Sequence, residues 1–89
     1  MPTKKEDHII VAVHVTDRVK QASRVQEVLT EYGSNIKTRI GLHEATGALA
    51  AHSGVILLEM VGPEKRCLAI IGALAEIAGV EAKSISFQH

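Results

Sequence analysis

The chain's clearest chemical groups are five histidines, at positions 8, 14, 43, 52 and 89 of 89 residues. Neutral imidazole binds divalent zinc or nickel, and it changes charge near neutral pH. His14 lies in "HIIVAVHVTD", residues 8–17, and "EATGALAA" separates His43 from His52. Three imidazoles gathered at one end of a sheet could hold a divalent metal, so His14, His43 and His52 are the candidate ligands. The spacing argues weakly for it, because neither H-x-x-x-H nor C-x-x-C occurs. The plainer role is a surface or interface one, where protonation makes an assembly pH-sensitive. A second candidate is the turn Thr16, Asp17, Arg18, where a strand hands over to a helix. Free N–H groups and the helix dipole there favour an anion. Asp17 competes for the same donors as an N-cap. Cys67 is the single cysteine. It falls on an apolar helical stripe and reads as a packing thiol.

Other chemistry finds no support. There is no Ser/His/Asp arrangement, P-loop or dinucleotide glycine pattern. Acylphosphatases use an arginine in a glycine-rich loop after a first strand, and "HVTDRVKQ" has no glycine. The expectation is a protein that is not an enzyme, with a divalent metal as the one cofactor to test. Tyr32 and Phe87 are the whole aromatic complement, and ten basic residues balance ten acidic ones. A chain without stacking platforms or net positive charge is not expected to bind nucleic acid. One cysteine allows no intrachain disulfide, which fits a reducing compartment. The start "MPTKKEDH" has no apolar signal core, and no apolar run approaches the roughly 20 residues of a membrane span. A cytoplasmic protein without a membrane partner is expected.

These residues must be positioned by few elements, since 89 residues make one small domain. Residues 1–7 are expected to be a flexible N-terminus, and 8–89 a single domain. His8 to Val15 reads as a strand. "RVKQASRVQEVLTEYG" then repeats Val19, Ala22, Val25, Val28, Leu29 and Tyr32 at helical spacing, and Gly33 stops it. "NIKTRIGLH" alternates, with Ile36, Thr38, Ile40 and Leu42 against Lys37, Arg39, Gly41 and His43. "GVILLEMVG" is a second apolar strand. Pro63 opens a helix whose stripe is Cys67, Leu68, Ile71, Leu74, Ala75 and Ala78, and Gly79 closes it. "VEAKSISFQ" is a more polar last strand.

The order βαββαβ predicts an α+β, ferredoxin-like sandwich: a four-stranded antiparallel sheet with two helices on one face. The two most apolar strands, first and third, belong in its centre. The other face is then open. Ile10, Ala12, Val55 and Leu57 are expected at its middle, with His14, Lys37, Arg39, His43 and Glu59 around them. A regular hairpin sets His43 opposite Val55 and Arg39 opposite Glu59. Four contiguous apolar side chains on a bare sheet call for a cover. Self-association through Ile10, Ala12, Val55 and Leu57, as a dimer or tetramer, is the expected one, and the alternative is that the C-terminal residues or the long loop fold across the face.

Three further stretches are distinctive: Val15–Arg18 (V-x-D-R), Ile36–Gly41 (I-x-x-R-x-G) and Leu74–Val80 (L-x-x-I-x-G-V). With them, nearly the whole chain after residue 7 resembles a family of small stand-alone ACT-like proteins, regulators of the iron-only hydrogenase system. The resemblance implies an ACT-type fold, related to the ligand-binding half of the nickel-responsive repressors. It also implies a homo-oligomer with a regulatory role. The glycine that amino-acid-binding ACT domains carry after their first strand is missing, as is the nickel repressors' pattern of paired strand histidines with a nearby cysteine. No DNA-binding segment is seen. Regulation then runs through a protein partner or a small effector. The function expected first is a small-ligand-sensing homo-oligomeric module. The alternatives are a metal-responsive protein and a structural assembly subunit without ligand.

Overall fold

Alternating β-branched residues form the first strand, β1 (His8–Val15), and the Asp17 cap starts α1 (Arg18–Glu31). A short 3-10 turn, Gly33–Asn35, leads to β2 (Ile36–Leu42). β3 (Gly54–Met60), α2 (Glu64–Ala75) and β4 (Val80–Phe87) follow. The structure is a computed structural model and describes residues 8–42 and 54–87, apart from the side chains of Arg18, Val19 and Leu42.

The sheet order is β2-β3-β1-β4, antiparallel throughout, as the ferredoxin-like sandwich requires. Ile9, Val11, Val13 and Val15 of β1 face the helices, with Leu58 and Met60 of β3 beside them, all buried. Full burial of each large aliphatic side chain stabilises the fold by about 1.5–3 kcal/mol.

The stripe expected on α1 is largely the one observed, with Val28 also packed against the core, while that of α2 is shifted in part. On α1 the buried residues are Gln21, Val25, Leu29 and Tyr32, while Ala22 is exposed. On α2 and the turn after it, Cys67, Ile70, Leu74 and Ile77 are buried, and Ala75 and Ala78 are exposed. Larger side chains take the core and alanines turn outward, since a leucine or isoleucine removes more apolar area from water. The helix α2 also stops at Ala75, short of Gly79. Gly79 instead forms the turn into β4, at φ +84°.

Candidate functional site

The face of the sheet without helices is built by the strand registers. Ile10 lies opposite Glu59 and Ile85, Ala12 opposite Leu57 and Lys83, and His14 opposite Val55 and Glu81. Directly opposed residues share a face, so Val55, Leu57 and Glu59 join Ile10, Ala12 and His14 there.

β2 departs from the expected register. Ile36 pairs with Met60, but Thr38 pairs with Glu59, so Lys37 is an extra residue in a bulge. One extra residue reverses which face every later side chain takes. Ile36 packs against the core, yet Thr38 and Ile40 lie on the open face. Arg39 pairs with Leu58 on the helix side, where its Nη1 donates to Gln26 Oε1 at 3.3 Å. The expected Arg39–Glu59 pair and the placing of Arg39 on the open face are therefore corrected. Leu42, rather than His43, takes the position opposite Val55.

The bulge makes the face more apolar. Ile10, Ala12, Val55 and Leu57 are half-buried at its centre. Ile40, Ile85 and Phe87 extend the patch at 51%, 56% and 57% exposure, three of the four large hydrophobics most open to solvent among the described residues. Two polar corners flank it. In one, His8 Nε2 lies 3.0 Å from Glu59 Oε2. That hydrogen bond, a second from Thr38 and the nearby charge of Lys37 hold the Glu59 carboxyl below its ordinary value. In the other, Lys83 Nζ stands 3.7 Å from Glu81 Oε2, next to exposed His14.

His43 and His52 lie outside the described residues. Among the described residues, no group of three or more His, Cys, Asp or Glu side chains is placed to hold a metal ion.

The turn after β1 is closed by internal hydrogen bonds. Thr16 donates both its N–H, at 3.1 Å, and its hydroxyl, at 2.7 Å, to the Gly79 carbonyl. The Asp17 carboxylate accepts from the Lys20 N–H at 3.2 Å, and the Asp17 N–H donates to Gln21 Oε1 at 3.1 Å. Gln21 Nε2 donates to the Ala78 carbonyl. The buried amide of Gln21 thus ties the start of α1 to the turn before β4. Arg18 is the first residue of α1.

A second latch closes the other half of the molecule. Asn35, also buried, donates from Nδ2 to the Val61 carbonyl at 3.0 Å, and the Val61 N–H donates back to the Asn35 carbonyl at 2.8 Å. Arg66 Nε donates to Asn35 Oδ1 at 3.2 Å, and its guanidinium lies 4.2 Å above the Tyr32 ring. The Cys67 thiol donates to the Val61 carbonyl at 3.3 Å. Burial pushes that thiol's pKa up, and Glu64 adds to the effect. Such a group is a poor nucleophile. Sequence reasoning missed Gln21 and Asn35. A polar residue inside an apolar stripe was the only signal at position 21.

These features define a class: a ferredoxin-like sandwich with one sheet face that no helix among the described residues covers. The chain belongs to the TM1266-like family, described as "Iron-only hydrogenase system regulator, putative", whose family model matches residues 8–84. It is similar to the uncharacterized protein TM1266 from Thermotoga maritima, at 25% identity and a TM-score of 0.75, over 93% of this chain and 98% of that one. It shares its fold with CPII, a nitrogen regulatory PII-like protein from Thiomonas intermedia K12. In the form of CPII bound to ADP, AMP and acetate the identity is 10% and the TM-score 0.62, over 98% and 92% of the two chains. No curated protein is similar enough to count as a relative. No helix among the described residues is long and apolar enough to cross a membrane.

Proposed function

We propose that the chain is a regulatory module that assembles with copies of itself through the open face and senses a small molecule in the assembled state. The observation that carries this is the apolar patch centred on Ile10, Ala12, Val55 and Leu57 and widened by Ile40, Ile85 and Phe87. A face this apolar is normally covered. Membership of a family described as regulators supports the regulatory half of the reading. The binding of adenine nucleotides by CPII, a protein of the same fold, makes nucleotides the first effectors to test. The contact proposed for the effector is the Thr16–Arg18 turn.

The test is light scattering of the purified chain together with a thermal-shift screen of nucleotides, amino acids and divalent metals. Leu57→Asp would place a charge in the patch and is expected to lower the oligomer mass to that of a monomer. An unchanged mass in that variant refutes the open-face assembly. A ligand that binds the native state raises the midpoint, and Thr16→Ala and Arg18→Ala are expected to abolish that rise. A response to zinc or nickel alone, lost in His14→Ala, replaces the small-effector reading with a metal-responsive one.

A further inference from the structure

The open face has a direction. Same-face residues are about 6.8 Å apart along a strand, and neighbouring strands are about 4.8 Å apart. Laid on that lattice by the observed pairings, Leu57, Ile10 and Phe87 fall on one straight diagonal, about 35° from the strand direction. Ile40 lies on one side of this line and Ala12, Val55 and Ile85 on the other. The apolar patch is thus a stripe across the sheet. The corner of Glu59, His8 and Thr38 is on one side of it, and the corner of Lys83, Glu81 and His14 is on the other.

Two copies that bury this stripe against itself have two choices of twofold axis in the plane between the sheets. An axis across the stripe at the sheet centre brings Glu59 to a lattice position about 3 Å from Glu59 of the other copy. Sheets stack about 10 Å apart, so the two carboxylates would face each other across the interface, and like charges so placed oppose association. Measured in the plane of the sheet, an axis along the stripe sets Glu59 about 4 Å from the position facing the other copy's Lys83, and Ile40 about 3 Å from that facing the other copy's Val55. Charge meets opposite charge, and aliphatic meets aliphatic. The Lys83 side chain is 78% exposed and has room to reorient from Glu81. Sheets stacked this way cross at about 70°, nearer the orthogonal than the aligned class of sheet packing. Four strands of about eight residues cover about 500 Å² per copy, or about 1,000 Å² in all, the lower limit for a specific interface. With so little area, the flanking charges decide the orientation.

We propose that two copies pack open face to open face about a twofold axis along the Leu57–Ile10–Phe87 diagonal, with Glu59 of each against Lys83 of the other. This rests on the open-face assembly proposed above. The test is a charge swap on the full chain, read as the dimer dissociation constant by sedimentation. Glu59→Lys and Lys83→Glu are each expected to weaken the dimer about tenfold or more, and the double variant to return it to within about threefold of the parent. A double variant no tighter than the singles overturns the axis. So does a Lys83→Glu dimer of parental strength. Leu57→Asp separates the two ideas, because it dissociates any open-face dimer whatever its axis. A second readout is Phe87→Cys in a Cys67→Ala background, treated with a short bis-maleimide. Phe87 lies on the axis, so a crosslinked homodimer is expected, and a chain that stays monomeric on a denaturing gel overturns the arrangement.

Discussion

Replacing Gly79 by alanine tests the latch between the two halves of the fold. Gly79 sits at φ +84°, where an L side chain costs about 1–2 kcal/mol. A Cβ there would run into Gln21 Nε2 and come within 2.6 Å of Thr16 Oγ1. Gln21 is only 8% exposed, so its displaced amide would lose the Ala78 carbonyl without gaining water. Leaving such a group unsatisfied costs about 1–3 kcal/mol. The two terms together come to about 3 kcal/mol. For a domain of this size each kcal/mol lowers the thermal midpoint by about 4–8 °C. Gly79→Ala is therefore expected to melt about 15 °C or more below the parent by circular dichroism. Gly33→Ala is the control, since nothing lies within 4 Å of a Cβ there, and it is expected to shift little. Gln21→Ala relieves the clash, so the double variant with Gly79→Ala should cost less than the sum of the singles. A Gly79→Ala midpoint within about 3 °C of the parent would falsify the reasoning. Strict additivity with Gln21→Ala would show that the two residues do not act together.

Two predictions concern titration. The Cys67 thiol is raised by burial and by Glu64, so the fold favours its neutral form. Its contribution to stability is complete below the unfolded thiol's pKa of about 8.5 and fades as pH rises through the higher folded value. Iodoacetamide should label Cys67 far more slowly in the native chain than in urea, and the loss of midpoint above pH 8.5 should be smaller in Cys67→Ala. Equal labelling rates would contradict a buried thiol. Glu59 shifts the other way, held down by His8, then Thr38 and Lys37. Its contribution is present above the unfolded carboxyl's value of about 4.3 and disappears as pH falls through the lower folded value. Glu59→Gln should melt below the parent at pH 6, with the gap closing in acid; a gap that persists at pH 2 would assign the effect to something other than charge.

The architecture was legible because burial on two faces and on one face leave different patterns. β1 and β3 are apolar at nearly every position, which put them at the centre, and their inward residues were assigned correctly. β2 was legible as an edge strand, but its register was not. A bulge adds one residue without a mark in composition, and Lys37 looks the same in or out of register. That one residue moved Arg39 to Gln26 and Ile40 to the open face, which altered the reading of the site more than any other difference. On the helices the large side chains were mostly placed correctly, and the alanines at 22, 75 and 78 were not, because alanine satisfies either face. The amide latches were illegible for another reason: their partners are carbonyls far along the chain, and a backbone carbonyl has no identity in a sequence.

Those latches also set an order of events. Thr16 and Gln21 reach carbonyls 63 and 57 residues further along. The first helix can therefore form its internal hydrogen bonds early, but its leading turn stays incompletely tied until the turn before the last strand has docked. Contacts so distant in sequence close late and slow the search. A chain cut before Ala78 keeps β1, α1, β2, β3 and the whole of α2, yet it loses the acceptor of a buried amide and the strand that flanks β1. The domain is thus built to be all or nothing: its opening segment is finished by its closing one, and a truncated copy would leave β1, a central strand of the whole fold, as an unpaired edge.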